Sequence, residues 1–220
     1  MESTYVSNAY IEGYCQKNGI EIDTSMDLIE FAKKQNIPKL HCFKNTSTPR
    51  LERVTRLFKL LKGYNYRCRN IVDFGSQRGA LLWPTMVNFP GYSYTAIDLD
   101  KKITDYLQCV VDGGCTNLTV INGDITKKLP LEDSSADIVV ASEILEHLEE
   151  PEKAAQEAVR LAKYAVYVTV PSKPDDNPEH IQLFTPDTLK KLFSTNNKVE
   201  SVKTEYIKNC IVCIVTLKDA

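Results

Sequence analysis

Long apolar runs and a large excess of charge are both missing from this sequence. No stretch of about 18 apolar residues occurs, which excludes a membrane-spanning helix of ordinary length. The amino terminus, MESTYVSNAYIEGYCQ, is polar and lacks the apolar centre of a secretory signal peptide. The formal net charge is only −2, so nothing global attracts nucleic acid or an anionic membrane. We therefore expect a cytoplasmic protein with no membrane span.

Cysteine and histidine give little sign of a zinc site or of a disulfide framework. The seven cysteines, at positions 15, 42, 68, 109, 115, 210 and 213, are odd in number and irregular in spacing, which favours reduced thiols. Cys210 and Cys213 form a C-x-x-C pair without a second pair. Residues three apart in a strand point to opposite faces, so we expect this pair to pack in a sheet rather than to bind zinc.

The composition is typical of one globular domain with a small appendage. The chain has 220 residues, of which 43% are hydrophobic and 25% charged. Residues 1–46 carry no nucleotide-binding motif but contain two helical patterns, Tyr5–Lys17 and Met26–Gln35. We interpret residues 1–46 as an N-terminal helical cap over a ligand cleft, with an extension that only shields the sheet as the alternative. Residues 47–220 form the main domain.

An amphipathic helix is predicted from Arg50 to Lys62, after Thr48-Pro49. One face of this helix is apolar, and the other carries most of a basic cluster. The cluster consists of Arg50, Arg53, Arg56, Lys59, Lys62, Arg67 and Arg69. Two interpretations stay open, namely contact with a phosphate-bearing acceptor and the ordinary solvated side of an amphipathic helix.

A strand, a glycine-containing turn, a helix and a second strand are predicted over residues 70–100. The first strand ends at Asp73, the turn spans Gly75 to Gly79, and the second strand ends at Asp98. The glycines let a ligand approach bare N–H groups at a helix start. An acid roughly 20 residues beyond the first glycine accepts hydrogen bonds from ribose hydroxyls. This unit therefore predicts a bound nucleoside.

The turn favours one nucleoside cofactor over another. NAD-binding turns have the pattern G-x-G-x-x-G, but Gln77 occupies the position of the second glycine, and the carboxylate of Asp73 would repel a diphosphate. At these residues the sequence resembles class I S-adenosylmethionine-dependent methyltransferases, whose first motif is of the type V-L-D-x-G-x-G-x-G. It reads here as Ile71-Val72-Asp73-Phe74-Gly75-Ser76-Gln77-Arg78-Gly79.

The resemblance covers roughly residues 48–217 and implies a fold. The expected architecture is a Rossmann-like α/β fold, with a mostly parallel seven-stranded sheet, one antiparallel strand and helices on both faces. Strand and helix patterns alternate along the chain in agreement with it. Further strands are predicted at 118–121, 136–141, 165–170, 198–206 and 207–217, and further helices at 101–112, 151–163 and 186–194.

The resemblance also implies S-adenosylmethionine as cofactor and assigns residues to it. Asp98 would hold the ribose, Asp124 the adenine amino group, and Asp73 the ammonium of the methionine part. Carboxylates at the carboxyl ends of parallel strands face the ligand crevice, which agrees with these assignments. The predicted cofactor-binding residues are Asp73, Gly75, Ser76, Gln77, Gly79, Asp98, Leu99, Asp124, Ile125 and Ser142.

A second group of polar residues follows the fourth predicted strand. Glu143, Glu146 and His147 have the spacing i, i+3, i+4, which on a helical turn places them on one face. His180 follows the fifth strand at the same edge of the sheet. Mixed oxygen and nitrogen ligands suit Mg, Mn, Fe or Co. The predicted metal ligands are Glu143, Glu146, His147 and His180, with Mg or Mn as the expected cation and with Glu146 and His147 as catalytic residues.

The E-x-x-E-H stretch resembles two groups of methyltransferases. In RNA 3′-terminal ribose 2′-O-methyltransferases the four corresponding side chains hold a metal, and O-methyltransferases of ubiquinone biosynthesis act on catechol-like rings. The short spacing from His147 to His180 and the acidic pair Asp175-Asp176 favour a small-molecule acceptor over RNA. In a metal-free enzyme His147 would be the general base. A catalytically silent cofactor-binding partner protein and an NAD-dependent enzyme are the remaining alternatives.

Overall fold

The computed structural model describes residues 4–40, 51–64 and 67–218. The predicted helix start at Thr48-Pro49 and Arg50 lies outside these residues. The strands are β1 (Asn70–Phe74), β2 (Ser93–Asp98), β3 (Leu118–Asn122), β4 (Ala136–Ser142), β5 (Ala162–Pro171), β6 (Val199–Ile207) and β7 (Cys210–Leu217). The helices are α1 (Tyr5–Asn18), α2 (Leu28–Lys34), α3 (Glu52–Tyr64), α4 (Leu82–Asn88), α5 (Lys101–Asp112), α6 (Pro151–Leu161) and α7 (Pro186–Ser194).

The seven strands form one sheet in the order β3-β2-β1-β4-β5-β7-β6. Strand β7 runs antiparallel to its neighbours β5 and β6, and the pairs among β1 to β5 are parallel. The predicted mostly parallel sheet with one antiparallel strand is therefore confirmed. Because β1 pairs with β2 on one side and with β4 on the other, the connections leave β1 and β4 in opposite directions along the sheet. Such a switch point opens a crevice at the carboxyl ends of the strands.

Each face of the sheet carries its own hydrophobic core. Helices α1 to α5 cover one face, where the largest side chain is the fully buried Trp83, and helices α6 and α7 cover the other. Cys210 belongs to the first core and Cys213 to the second, as strand alternation predicts. The six described cysteines are buried and free. None of the seven described helices has the length and apolar content needed to cross a lipid bilayer.

The N-terminal helices pack beside the sheet rather than over its carboxyl edge. Helix α1 lies against α5 at very short range, because a glycine stands at each point of contact. A Cβ atom on Gly13 would lie 1.9 Å from the carbonyl oxygen of Cys109, and one on Gly113 would lie 1.8 Å from that of Ala9. Residues 4–40 do not line the cleft described below. Residues 1–3 and 41–46 lie outside the described residues, so the interpretation of residues 1–46 as a cap stays a prediction, beside the alternative of an extension that only shields the sheet.

The connection from β3 to β4 contains no helix among the described residues and is held in place by Arg160 of α6. The guanidinium of Arg160 donates to the carbonyl oxygen of Leu131 at 2.8 Å and to the carboxylates of Asp133 and Glu157 at 2.7 Å. Glu157 also accepts a hydrogen bond from the backbone N–H of Leu129 at 2.7 Å. This network fixes the loop whose first residues form one wall of the cleft.

Two glycine-to-alanine substitutions in helices should have opposite effects on stability. Gly13→Ala should lower the free energy of unfolding by about 2 kcal/mol, because the new methyl group has no space against helix α5. Gly63→Ala should be neutral or raise it by up to about 1 kcal/mol, because that position in α3 is open and alanine favours a helix. Thermal unfolding of both variants beside the wild type measures this, and equal shifts would contradict the close packing of α1 on α5.

Candidate active site

A cavity of about 610 Å³ opens at the carboxyl ends of β1, β2 and β3. Its floor comes from the turn after β1, and its walls come from the residues after β2 and β3 and from two segments beyond β4 and β5. Four carboxylates line it, namely those of Asp98, Asp100, Asp124 and Glu179. No Lys or Arg from the described parts of the chain belongs to this wall. The cavity is therefore suited to a ligand with several hydroxyl or amine donors.

The turn after β1 is held in a left-handed backbone conformation at three positions. Gly75, Gln77 and Gly79 have φ angles of +65°, +48° and +77°. For Gln77, a residue with a Cβ atom, this conformation costs about 1 kcal/mol, which explains why glycine is the usual residue there. Its backbone N–H donates to Oδ2 of Asp98 at 2.8 Å. The carboxylate at the tip of β2 thus ties the turn to its neighbouring strand.

Gly79 does not line the cavity in this structure. A Cβ atom on it would lie 2.0 Å from Nε1 of Trp83, whose indole N–H donates to the carbonyl oxygen of Arg78 at 2.7 Å. The glycine thus makes room for the buried indole beneath the turn. Of the predicted cofactor-binding residues, Gly75, Gln77, Asp98, Leu99, Asp124 and Ile125 line the large cavity, and Asp73, Ser76 and Ser142 line a smaller one beside it.

Two carboxylates of the large cavity differ in their surroundings. Asp98 is 6% exposed, and burial raises the pKa of its carboxyl group, while hydrogen bonds from the backbone of Gln77 and Asp100 oppose the rise. Asp124 is half-buried, and hydrogen bonds from Thr126 lower the pKa of its carboxyl group. Asp124 is therefore ionised at neutral pH. Hydrogen bonds from Gln77 and Asp100 orient Asp98, and hydrogen bonds from Thr126 orient Asp124, before any ligand binds.

The smaller cavity, of about 180 Å³, adjoins the large one at Gly75 and Gln77, which line both. Asp73 on its wall is 5% exposed, and burial raises the pKa of this carboxyl group to about 7, with Asp98 adding to the rise and Ser76 opposing it. On the same wall, the hydroxyl of Thr169 donates to Oε1 of Glu143 at 2.9 Å.

The expectation that Glu143 shares a face with Glu146 and His147 is wrong. Glu143 has a φ angle of +53°, and the helical turn that follows is a 3₁₀ turn beginning only at Leu145. The i, i+3, i+4 spacing therefore does not apply, and Glu143 lines the smaller cavity instead. The structure does bring Glu146, His147 and His180 together, with one ligand atom of each lying within 4.8 Å of the others.

Glu146 is buried in an unusual way. Its side chain is 1% exposed, and neither carboxylate oxygen has a hydrogen-bond partner among the described residues. Burial raises the pKa of this carboxyl group to about 8, and the nearby Glu143 adds to the rise. The cover comes from the segment after β5, where the backbone N–H of Ile181 donates to the carbonyl oxygen of Glu146 at 3.0 Å. Buried acids without partners are rare and are typical of functional sites.

The two imidazoles beside Glu146 are held through their Nδ1 atoms. Nδ1 of His147 lies 3.0 Å from the carbonyl oxygen of Glu179, which can only accept, so this atom carries the proton of the neutral ring. Nδ1 of His180 lies 2.8 Å from Oδ1 of Asp175. The ring centroids are 4.7 Å apart. Imidazoles fixed in this way and a carboxylate without partners form a donor set that fits a divalent cation.

Several residues of the site were not found from the sequence. Ile144, Leu148, Glu179 and Ile181 line the large cavity, and Arg53 of α3 lines the smaller one. Glu179 and Ile181 flank His180 in the chain, but no pattern there shows that this segment folds over the 3₁₀ turn. Arg53 belongs to the basic cluster of the sequence, and the sequence does not indicate which side chain of that cluster meets the cleft.

Comparisons with known proteins agree with this geometry. Residues 72–169 match the model of the methyltransferase domain family. A methyltransferase from Aquifex aeolicus, described as dependent on S-adenosylmethionine, has 18% identity and a TM-score of 0.59 over 90% of this chain and 100% of that one. A methyltransferase of the same description from Archaeoglobus fulgidus has 17% identity and a TM-score of 0.60 over 74% and 92%.

A third solved structure, an O-methyltransferase family protein from Burkholderia thailandensis, has 14% identity and a TM-score of 0.59 over 76% of this chain and 57% of that one. At such identities the structural likeness shows the fold. No curated protein matches the chain in sequence. Residues 72–169 thus resemble a methyltransferase domain in sequence, and the chain shares the fold of solved methyltransferases that are described as dependent on S-adenosylmethionine.

Proposed function

We propose that this chain transfers a methyl group from S-adenosylmethionine to an oxygen atom of a small acceptor. The observation that supports the proposal is one continuous cavity, which runs from Asp98 and Asp124 at one end to His147 and the cover of Glu146 at the other. The first end has the donors and acceptors for a nucleoside. The second end has groups that can bind or deprotonate a hydroxyl group.

At the nucleoside end, we assign Asp98 to the ribose hydroxyls. Each oxygen of its carboxylate already accepts one backbone hydrogen bond, and each retains a lone pair for a hydroxyl donor. Asp124 would accept from the adenine amino group, with the buried Ile125 and the exposed Leu99 on either side of the base. These assignments follow from the four residues all lining the large cavity.

Methyl transfer from a sulfonium needs alignment more than it needs activation. The positively charged sulfur is its own leaving group, so the protein must hold the acceptor oxygen, the methyl carbon and the sulfur in line. A hydroxyl acceptor must also lose its proton. In a metal-free enzyme Nε2 of His147 is suited to accept that proton, because Nδ1 carries the proton of the neutral ring. Glu146 and His180 lie beside it.

A divalent cation fits the same three residues. Glu146, His147 and His180 would supply one carboxylate and two imidazoles, a donor set suited to Mn, Fe or Co and, less well, to Mg. When bound there, the cation would lower the pKa of an acceptor hydroxyl. The buried carboxylate of Glu146 would then gain the partner that it lacks among the described residues.

The wall of the large cavity supports a small acceptor rather than RNA. Among the described residues that line this cavity, the charged ones are all acidic, and they would repel a phosphate backbone. Apolar side chains from Ile144, Leu148 and Ile181 lie at the acceptor end, and Ile181 is 56% exposed. An apolar ring bearing a hydroxyl group matches both features.

The test of this function is release of S-adenosylhomocysteine from S-adenosylmethionine with a panel of acceptors. The panel contains catechols, other phenols, aliphatic alcohols, amines, thiols and a short RNA with a free 3′-terminal diol. We expect turnover with phenolic acceptors and none with RNA. Turnover confined to amines or to RNA would contradict the proposal, and cofactor binding without turnover would favour a catalytically silent partner protein.

Metal binding should depend on three side chains and not on the fourth predicted ligand. We expect Mn²⁺ or Co²⁺ to raise the melting temperature of the wild type and of Glu143→Gln, because the structure places Glu143 in the other cavity. The shift should vanish in Glu146→Gln and His180→Ala. Glu149→Gln, at an exposed position three residues from Glu146, is the matched control. Retention of the shift in both ligand variants would exclude a cation at this site.

The buried Asp73 should make the stability of the free protein depend on pH. Between about pH 4 and pH 7 the folded protein keeps a proton on Asp73 that the unfolded chain releases, so the free energy of unfolding falls as pH rises and levels off above pH 7. Asp73→Asn removes this loss. The free energy of unfolding of the variant, relative to that of the wild type, should therefore increase by up to about 4 kcal/mol between pH 4 and pH 7.5.

Urea unfolding at those two pH values, without ligand, measures the effect. Asp98→Asn serves as a comparison, because backbone hydrogen bonds oppose the rise of its pKa. If Asp73→Asn changed the free energy of unfolding by the same amount at both pH values, the raised pKa of Asp73 would be contradicted.

A further inference from the structure

The segment between β5 and α7 contains a carboxylate that meets one histidine of the candidate cation site. Oδ1 of Asp175 lies 2.8 Å from Nδ1 of His180. The imidazole is mostly covered, with 17% of its side chain exposed, whereas 46% of the Asp175 side chain is exposed. A carboxylate can only accept a hydrogen bond, so Nδ1 carries the proton of the neutral ring. Nε2 of His180 therefore keeps a free lone pair.

A short local turn directs this carboxylate toward the imidazole. Oδ1 of Asp175 also accepts a hydrogen bond from the backbone N–H of Asn177 at 3.1 Å. The carbonyl oxygen of Asn177 in turn accepts from the backbone N–H of His180 at 3.1 Å. Pro174 and Pro178 restrict the φ angles at two further positions of the same turn. The contact between carboxylate and imidazole is thus built before any cation binds.

The same segment is fastened to the 3₁₀ turn that carries the other two candidate ligands. Nδ1 of His147 lies 3.0 Å from the carbonyl oxygen of Glu179, and the backbone N–H of Ile181 donates to the carbonyl oxygen of Glu146 at 3.0 Å. A main-chain group therefore orients the ring of His147, whereas a side chain orients the ring of His180. A substitution can remove the support of the second ring and leave that of the first in place.

We propose that Asp175 is a positioning residue of the candidate cation site, which holds the ring proton of His180 on Nδ1 so that Nε2 can bind a divalent cation. Glu146 and His147 would supply the other two ligand atoms, and Asp175 itself does not belong to that group. A carboxylate hydrogen-bonded to a metal-binding imidazole fixes the tautomer and the orientation of the ring and raises its basicity. This inference rests on the cation of the proposed function, but the position of the ring proton does not.

The position of the ring proton can be measured without metal, by ¹H–¹⁵N spectra of protein labelled in its three histidines. The spectra are recorded at about pH 9, where imidazole rings are neutral, and His180→Gln identifies the signals of that ring. The wild type should carry the proton of His180 on Nδ1. Asp175→Ala should shift it toward Nε2, and Asp175→Asn should retain it, because the amide oxygen is also an acceptor. A proton on Nε2 in the wild type, or an unchanged tautomer in Asp175→Ala, would overturn the proposal.

Titration with Co²⁺, followed by its visible absorption, measures what the ring position contributes to cation binding. Asp175→Ala should weaken binding by about 10- to 100-fold. Asp175→Asn should weaken it less, because this variant keeps the hydrogen bond and loses only the charge. Asp176→Ala and Asp176→Asn are the matched controls, since they remove the same charge from the neighbouring exposed position and should leave the affinity nearly unchanged.

The outcomes separate Asp175 from the cation site as a whole. Equal weakening in Asp175→Ala and Asp176→Ala would show an effect of net charge and overturn the positioning role. Unchanged Co²⁺ affinity in Asp175→Ala would overturn that role while the cation site stands. Absence of Co²⁺ binding by the wild type would instead overturn the proposed cation site, and with it the role of Asp175.

Discussion

The hydrogen bond between the carboxylate of Asp98 and the backbone N–H of Gln77 is the interaction on which the site depends. It joins the tip of β2 to the turn after β1, at the place where the order of the sheet changes direction. The same turn is held from below by the N–H of Gly75, which donates to the carbonyl oxygen of Ile97 at 2.8 Å. These bonds tie the turn, with its three residues in left-handed conformations, to β2.

A second constraint is the crowding of acids at one edge of the sheet. Asp73, Asp98 and Glu146 are all nearly inaccessible to water, and burial raises the pKa of each. Buried carboxyl groups lower the stability of the empty protein, so such an edge is expected where a ligand or cation gives each group a partner. The cost of burying these carboxyl groups therefore links the carboxyl edge of the sheet to the proposed cofactor and the proposed cation.

The sequence predicted the fold well because its signals are local. The apolar periods of β1 to β5 and the acids near the carboxyl ends of β1, β2 and β3 each act within a few residues of where they stand. Strand alternation likewise predicted that Cys210 and Cys213 face opposite sides of the sheet. Residues 70–100 folded as their pattern indicated, including the nucleoside-type turn with Gln77 in a glycine position.

The site was predicted less completely because its remaining parts depend on backbone angles and distant packing. The spacing of Glu143 assumed a helix, but a left-handed residue precedes the turn and sends that side chain to another cavity. The place of Arg53 depends on how α3 rests on the sheet, and the cover of Glu146 depends on a segment more than thirty residues away along the chain. No period or spacing in the sequence contains that information.

The most direct measurement is calorimetric titration of the wild type and of Asp98→Asn with S-adenosylhomocysteine. The isosteric amide keeps the shape of the side chain but provides one acceptor oxygen in place of two, and it loses the charge. The account predicts binding by the wild type and a loss of affinity of at least about 10-fold in the variant, the equivalent of roughly 1.4 kcal/mol. Equal affinity in the two proteins, or no binding by the wild type, would contradict it.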